Sequence, residues 1–324
     1  MFENLIATLK ENPRKIVFTE GFDPRILEAA SRLKKDGILD SILVGVVEEV
    51  EKAAKDGGFD IEGIEIIDPA TYPEMDAMVE KMTELRKGKM TADECRKELS
   101  KGNYFGTMLV KMEKADALLG GATYSTADTV RPALQVIKTK PGNKIVSSCF
   151  ILARKDENGD DEKYAMGDCA INLNPSEDDL VEIAIETALT AKAFGIDPKV
   201  AMLSYSTMGS GKGDTVDVVR NATAKAKASA PELAIDGELQ FDAAFSPVVA
   251  KTKCKGSPVA GQANTFIFPD INSGNIGYKI AQRLGGFDAY GPILQGLNAP
   301  INDLSRGCNA EEVYQMAIIT AGLK

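Results

Sequence analysis

Short apolar runs alternate with longer amphipathic segments in the first part of the chain, and this alternation limits the fold more than any other feature. Residues 16–18, 42–44 and 117–121 are such runs, each rich in Ile, Val, Leu or Ala. Helix signals follow them: Asp23, for example, is a good N-cap directly before Pro24. Strands that alternate with helices are typical of parallel βα units. We therefore predict an α/β protein with mainly parallel sheets.

The pattern changes near Lys144 and predicts a domain boundary there. Residues 145–153 and 163–168 form an antiparallel-looking pair around an acidic turn. The last predicted strand is Ile293-Leu294, so the final helix has no later strand to follow it and is expected to pack on the first domain. The predicted domains are residues 1–143 plus 297–324, and residues 144–296.

A polar segment before the final helix has the composition of an active site. It carries Ser305 and Arg306, and Asn309 and Glu312 have the spacing of a capping box. The free N–H groups and the positive end of a helix favour a bound anion. The alternative is a capping box with no further role, in which Cys308 belongs to the hydrophobic staple.

The chain contains no histidine, which removes Ser-His-Asp and Cys-His mechanisms. Imidazole is also the commonest metal ligand, so we expect no metal site. A general base must then be a carboxylate, Lys, Tyr or Cys. The five cysteines are odd in number and widely spaced without a CxxC pair, which predicts free thiols.

The formal net charge of −10 argues against broad binding to nucleic acid or anionic membranes. An anionic ligand would have to be bound by a local cluster of Arg and Lys. No charged-then-apolar leader opens the sequence, and no apolar run approaches the roughly 18 residues of a transmembrane helix. We therefore expect a soluble cytoplasmic protein.

A glycine-rich loop, residues 206–213, follows the predicted strand 200–204. It is not a Walker A motif, because Ser206 stands where the first Gly should be and Gly follows Lys212. Nor is it a GxGxxG fingerprint, since Asp214 follows the loop. Taken alone, the loop is a strand-to-helix turn.

Four long segments resemble one known family. They are STADTVRPALQ (125–135), SYSTMGSGKGD (204–214), FPDINSGNIGYK (268–279) and PINDLSRGC (300–308). Together they resemble the phosphate acetyltransferases, or phosphotransacetylases, of the phosphate acetyl/butyryltransferase family. The resemblance extends over the whole length. It implies two αβα-type domains with an active-site cleft between them, an isocitrate dehydrogenase-like fold, and usually a homodimer.

The resemblance implies the reaction acetyl-CoA + phosphate = acetyl phosphate + CoA, by direct thiolate attack in a ternary complex. Coenzyme A is then a substrate, and no cofactor or metal is required. A ping-pong route through an acyl-cysteine at Cys308 is the rival mechanism, but the lack of histidine favours direct transfer. The alternative functions are a phosphate butyryltransferase and a non-catalytic acyl-CoA-sensing domain. A dehydrogenase-like enzyme is a third possibility, which the missing dinucleotide fingerprint opposes.

The resemblance also implies roles for particular residues. Ser305 and Arg306 match the family's oxyanion and phosphate stabilisers, and Glu312 falls where the family has its proposed Asp base. Glu is one methylene longer than Asp, and Glu311 is an adjacent competitor. Arg25 falls on a further family arginine whose role is less certain. The expected CoA- or phosphate-binding residues are Arg86, Ser125, Thr126, Arg131, Tyr278, Arg283 and Cys308.

Overall fold

The structure is a computed structural model that describes residues 2–324, and it divides into two compact units. We call Phe2–Pro141 with Leu297–Lys324 the terminal unit, and Gly142–Gly296 the central unit. The terminal unit is therefore built from two separate stretches of chain.

Strands and helices alternate along most of the sequence. The strands are β1 Lys15–Phe18, β2 Asp40–Val44, β3 Glu65–Ile67, β4 Ala117–Gly120, β5 Ser147–Lys155, β6 Asp161–Gly167, β7 Lys199–Leu203, β8 Ala234–Leu239, β9 Thr265–Ile267, β10 Asp288–Gln295 and β11 Ile301–Asp303. The helices are α1 Glu3–Glu11, α2 Pro24–Lys35, α3 Val47–Gly57, α4 Met75–Arg86, α5 Ala92–Leu99, α6 Gly102–Lys111, α7 Thr126–Pro132, α8 Glu177–Ala193, α9 Asp214–Ser229, α10 Phe241–Phe245, α11 Pro247–Lys253, α12 Ile271–Gly285 and α13 Ala310–Gly322. A π-helical turn, Ala133–Ile137, continues α7.

The terminal unit contains a five-stranded sheet in the order β11-β4-β1-β2-β3, and every neighbouring pair is parallel. The chain adds β2 and β3 on one side of β1, then crosses over to place β4 on the other side. Strand order thus reverses between β1 and β4. In open α/β sheets, ligands bind outside the carboxyl ends of the strands at such a switch point.

Helices cover both faces of this sheet, which is why its strands are apolar at consecutive positions. Val17, Leu118 and Ile301 belong to one hydrophobic cluster with helices α4, α5 and α6. The alternate positions Phe18 and Leu119 are fully buried and lie outside that cluster. Since side chains alternate along a strand, they belong to the opposite face, where α13 packs on β4.

The central unit contains a six-stranded mixed sheet in the order β10-β5-β6-β9-β7-β8. β5 pairs antiparallel with both β6 and β10, whereas β6, β9, β7 and β8 form parallel pairs. Two hydrophobic clusters cover its faces, one with α8 and α9 and the other with α10 and α11. The expected α/β class with mainly parallel sheets is confirmed.

One prediction about the C-terminal segment was wrong. We read residues 297–308 as a polar loop and ended the strands at Ile293-Leu294, but β11 lies in that loop. Asn302 and Asp303 are poor strand formers, so propensity gave no signal. Pairing with β4 and complete burial override that propensity.

Other local predictions are confirmed. Asp23 caps α2, and a capping box opens α13. All five cysteines are free and buried. Within residues 2–324, no helix is both long enough and apolar enough to cross a membrane.

Candidate active site

The carboxyl ends of β1, β4 and β11 come together at the switch point of the terminal unit. Glu20, just after β1, is only 2% exposed and holds the segment that follows β4. Its carboxylate accepts hydrogen bonds from the backbone N–H groups of Gly121 (3.2 Å) and Thr123 (2.7 Å). The hydroxyls of Thr19 and Thr123 also donate to it. Burial raises the pKa of Glu20 above its usual value, although these hydrogen bonds act against the rise.

Asp303 ends β11 and holds the same segment from the other side. It is 3% exposed, and it accepts hydrogen bonds from the hydroxyls of Thr126 (2.6 Å) and Thr129 (2.5 Å). Burial raises the pKa of Asp303, against the effect of the two hydroxyls. Gly121 approaches so closely that a Cβ there would lie 2.3 Å from the Asp303 carboxylate, and its φ of +103° also favours glycine.

Residues 305–308 form a tight turn between β11 and α13. The N–H of Cys308 donates to the carbonyl of Ser305 at 2.9 Å, and the N–H of Gly307 donates to the Ser305 hydroxyl at 3.2 Å. The turn exposes the side chains of Ser305 and Arg306. In the described part of the chain, the Arg306 guanidinium has no hydrogen-bond or ion-pair partner.

Arg25 binds the backbone of this turn. Its Nη1 donates to the carbonyls of Arg306 (2.9 Å) and Cys308 (3.0 Å), and its Nη2 donates to the carbonyl of Ala122 (2.9 Å). Asp23 holds the other side of the same guanidinium through two short hydrogen bonds. Arg25 thus joins the turn after β11 to the segment after β4. Its donors contact backbone carbonyls, so it acts as a structural clamp in this state.

The predicted capping box at the start of α13 is formed. The Asn309 side chain accepts from the N–H of Glu312 at 2.9 Å, and the Glu312 carboxylate accepts from the N–H of Asn309 at 3.3 Å. Glu312 remains exposed. The neighbouring Glu311 is instead paired with Arg32 at 2.7 Å and accepts from Gln315.

Cys308 is buried beside the Arg25 guanidinium. Burial raises the pKa of its thiol to about 11, although the charge of Arg25 lowers it. The N-terminus of α13 therefore does not produce a low-pKa thiol here, because desolvation dominates.

Ser125 and Thr126 lie at the start of α7. The Ser125 hydroxyl donates to Asp128 at 2.7 Å, and this hydrogen bond lowers the pKa of Asp128. Arg131, later in α7, is exposed and lies 3.9 Å from the same Asp128 carboxylate, at the limit of an ion pair.

Arg86 ends α4 and approaches the π-helical turn. Its Nη1 lies 3.5 Å from the carbonyl of Gln135, and its Nε is buried with no hydrogen-bond partner among the described residues. The Gln135 side chain accepts from the Tyr104 hydroxyl at 3.0 Å. Burial raises the pKa of Tyr104, and the charges of Arg131 and Arg86 both lower it.

Tyr278 and Arg283 belong to α12 of the central unit. The Tyr278 ring stacks on Phe150 with centroids 4.0 Å apart, and Arg283 is exposed. These observations describe the central unit alone.

The glycine-rich loop of the central unit is held by Glu238, which is 1% exposed. The Ser206 hydroxyl and the N–H of Gly209 donate to this carboxylate at 2.8 Å and 2.7 Å. The Arg220 guanidinium also donates to it at 3.2 Å. Burial tends to raise the pKa of Glu238, but the hydrogen bonds from Gly209 and Arg220 outweigh it, and the pKa is lowered. The loop joins β7 to α9 and is a strand-to-helix turn, as the sequence indicated.

Comparison with known proteins identifies the family. The model of the family described as Phosphate acetyl/butaryl transferase matches residues 1–321. The chain belongs to this family. Within it, the phosphate acetyltransferase of Bacillus subtilis (strain 168) is 56% identical over 322 residues, which cover 98% of each chain.

Solved structures agree with this membership of the phosphate acetyl/butaryl transferase family. A crystal structure of a phosphotransacetylase from Streptococcus pyogenes has a TM-score of 0.96 and 56% identity, and the match covers 99% of this chain and 97% of that one. A candidate 4-hydroxythreonine-4-phosphate dehydrogenase from Salmonella typhimurium has a TM-score of 0.56 at 14% identity, over 97% of this chain and 100% of that one. This second likeness shows the fold alone, and it agrees with the expected dehydrogenase-like fold.

Sequence reasoning about this family member missed two carboxylates. Glu20 and Asp303 were not among the expected site residues, although each stands directly after or at the end of a strand. The position of Glu20 after the apolar run 16–18 was a usable signal, because carboxyl ends of neighbouring parallel strands meet at one edge. Asp303 gave no such signal, because β11 itself was not predicted.

No metal centre is indicated in the part of the chain that the structure describes. Within residues 2–324, no three His, Cys, Asp or Glu side chains are grouped so that they could hold an ion. The hydroxyl and guanidinium groups of the candidate site are groups that suit anion binding.

Proposed function

We propose that this protein is a phosphate acetyltransferase, which transfers an acetyl group reversibly between coenzyme A and inorganic phosphate. The observation that carries the proposal is the Arg306 guanidinium beside Ser305, which has no partner within residues 2–324 and lies on a turn that Arg25 holds at the switch point of the terminal unit. The similarity to phosphate acetyltransferases across nearly the whole chain supports acetyl transfer over butyryl transfer.

Phosphate binding is assigned to Arg306 with Ser125 and Thr126. A guanidinium presents a planar fork of donors that matches two phosphate oxygens. Because Arg306 makes no competing ion pair with a described residue, binding does not require it to leave a carboxylate. In a chain with a net charge of −10, such an unpaired cation is a favourable local site for an anion.

The reaction then proceeds in one ternary complex. The coenzyme A thiolate attacks the carbonyl carbon of acetyl phosphate, a C–S bond forms, and the C–O bond to phosphate breaks. The developing oxyanion receives hydrogen bonds from Ser305 and Arg306, and the guanidinium of Arg306 binds the phosphate as it leaves. Hydrogen-bond donors that are placed to stabilise the transition state in this way usually make the largest single contribution to the rate enhancement of an enzyme.

Glu312 is the proposed base that receives the thiol proton. A thiol with a pKa near 8.5 needs only about 2 kcal/mol to become a thiolate at neutral pH, so the demand on the base is small. Glu312 is exposed at the N-terminus of α13, and its capping bond uses one carboxylate oxygen. The ion pair of Glu311 with Arg32 supports the choice of Glu312.

The ping-pong route through Cys308 is disfavoured. With a thiol pKa of about 11, forming the thiolate at pH 7 costs about 5 kcal/mol. That cost is more than twice the cost for a free thiol, and no histidine is present to offset it.

Coenzyme A binding is assigned to Arg86 and Arg131 in the terminal unit, and to Tyr278 and Arg283 in the central unit. The partnerless Nε of Arg86 and the exposed guanidinium of Arg131 support a role in binding the phosphates of the coenzyme. For Tyr278 and Arg283, the support is the resemblance of their segment to the family.

The decisive assay measures CoA release from acetyl-CoA with and without inorganic phosphate. Phosphate-dependent release with formation of acetyl phosphate is the expected result. Release that is independent of phosphate would contradict the proposal. A higher kcat/KM for butyryl-CoA than for acetyl-CoA would favour the butyryltransferase alternative.

A homodimer is also part of the proposal. Three large apolar side chains of α12, Ile276, Ile280 and Leu284, are exposed at helical spacing along one face. Light scattering of the purified protein tests this point, and a monomer across micromolar concentrations would contradict it. A cytoplasmic location remains a prediction.

A further inference from the structure

We propose that Asp303 is a positioning residue for phosphate: its carboxylate fixes the Thr126 hydroxyl and the start of α7 against the strand that leads to Ser305 and Arg306. The inference rests on the proposed function, because it concerns the phosphate site of that reaction. Neither the family resemblance nor the sequence assigned a role to this carboxylate.

The position of Asp303 joins the two halves of the proposed phosphate site. It lies two residues before Ser305, in parallel register with Gly120 at the end of β4. The N–H of Leu304 donates to the carbonyl of Gly120 at 2.7 Å, which locks the two strand ends together. The Asp303 side chain therefore ties the start of α7 to the strand end that leads to Ser305 and Arg306.

The partners of Asp303 are unusual for a buried carboxylate. Burying an ionised carboxylate is costly unless a cation or several donors compensate it. Here, within residues 2–324, its hydrogen-bond partners are two threonine hydroxyls of one helix, and no Lys or Arg forms an ion pair with it. An arginine partner would stabilise the charge better, yet it would also be drawn away from phosphate.

Thr126 and Thr129 differ in exposure. Substitutions at the two positions therefore distinguish anchoring of the helix from binding of phosphate. Thr129 is buried, so its bond to Asp303 anchors the helix. Thr126 is an exposed residue at the start of α7, and its hydroxyl is directed by Asp303. A threonine hydroxyl has one proton and two lone pairs. Because the Thr126 proton is donated to Asp303, the hydroxyl offers a ligand its lone pairs, which can accept a hydrogen bond from the P–OH group of hydrogen phosphate.

Asp303→Asn is the informative substitution because it keeps the volume and changes the hydrogen-bond pattern. The amide oxygen can accept from one threonine, but the amide nitrogen only donates, so the other hydroxyl must rotate. We expect the KM for phosphate to rise about tenfold, which corresponds to one lost hydrogen bond. The KM for acetyl-CoA should stay within about twofold, since the substitution leaves Arg86 and Arg131 unchanged.

Thr126→Val should raise the phosphate KM by a similar factor. The double variant Asp303→Asn with Thr126→Val should be no worse than either single variant, because both remove the same interaction. Thr129→Ser keeps the anchoring hydroxyl and is the matched control, with a phosphate KM near that of the wild type.

Thermal unfolding with and without inorganic phosphate gives a second readout that does not depend on turnover. Phosphate should raise the Tm of the wild type more than the Tm of Asp303→Asn. An Asp303→Asn protein with a lower Tm but an unchanged phosphate KM and an unchanged phosphate-induced shift would overturn the inference. If instead the wild type shows no phosphate-dependent CoA release, the proposed function fails first.

Discussion

Both sheets place buried glutamates at the carboxyl ends of their parallel strands, but the two units compensate these charges differently. In the central unit, Glu238 is paired with Arg220, and its pKa is lowered. In the terminal unit, Glu20 is bound by hydroxyl and backbone N–H groups, and burial raises its pKa. Asp303 resembles Glu20 in this respect.

This difference distinguishes a carboxylate that holds a loop of the central unit from the carboxylates beside the proposed phosphate site of the terminal unit. The Glu238–Arg220 pair holds a glycine-rich loop, and the guanidinium of Arg220 is occupied by this ion pair. In the terminal unit, the buried carboxylates Glu20 and Asp303 accept from neutral hydroxyl and N–H donors, and Arg306 has no partner among residues 2–324. In the same unit, the guanidinium of Arg25 is bound to backbone carbonyl groups. The guanidinium of Arg306 is therefore the positive charge of the turn that is available to an anion.

The largest expected effect tests this division directly. Arg306→Ala should reduce kcat by about 10²–10³, as expected for the loss of one preorganised donor to the transition state. Arg220→Ala is the matched control in the central unit: it should lower stability and leave kcat within a few-fold, because that guanidinium serves Glu238. Steady-state kinetics of both variants is the measurement. A larger loss of kcat in Arg220→Ala would reverse the comparison.

Glu312→Gln should reduce kcat by about 10², near the lower end of general-base contributions. Gln is also accepted at this position of a capping box, so the helix should keep its stability and the effect should report on proton transfer. The measurement is the pH–rate profile from about pH 6 to about pH 9. Identical profiles for variant and wild type would remove Glu312 from the mechanism. A loss greater than that of Arg306→Ala would instead contradict the assignment of the larger contribution to Arg306.

The effect of a Glu→Gln substitution on the free energy of unfolding should change with pH in opposite directions at Glu238 and at Glu20. Glu238 has a lowered pKa in the folded protein, so its contribution is present above the unfolded pKa of about 4.3 and is lost as pH falls through the folded value. Glu238→Gln should therefore destabilise by about 1–3 kcal/mol at pH 7, and by less in acid.

Glu20 has a raised pKa, so its buried charge opposes folding at high pH and is relieved as pH falls through that pKa. The stability of wild type relative to Glu20→Gln should thus increase on acidification. Urea unfolding between about pH 7 and about pH 4 measures both trends. Parallel trends for the two variants would show that the units do not differ in this way.

The smallest effect is expected at Cys308. Cys308→Ala should lower kcat less than about tenfold, because a thiol with a pKa near 11 is not an efficient nucleophile at neutral pH. Mass spectrometry after incubation with acetyl-CoA alone should show no acetyl adduct on Cys308. A stable adduct, or parallel initial-rate lines, would support the ping-pong route.

Local patterns determined much of this protein. The alternation of strands and helices in the first part of the chain, the N-caps Asp23 and Asn309, and the antiparallel pair in the central unit were readable from the sequence, because periodicity and capping involve residues only a few positions apart. The four quoted segments indicated the family. The exposed turn with Ser305 and Arg306 was also anticipated.

Only the tertiary structure decided which polar groups compensate one another. The Asp303–Thr126 bond joins positions 177 residues apart, and Arg25 reaches the carbonyls of residues 306 and 308 across 281 and 283 positions. Strand β11 exists because β4 pairs with it, against the propensity of Asn302 and Asp303. The sequence determined which charges are present. Sheet order and burial decided that Arg25 is bound within the structure while Arg306 has no partner among the residues that the structure describes, because partner choice depends on distance and desolvation after packing.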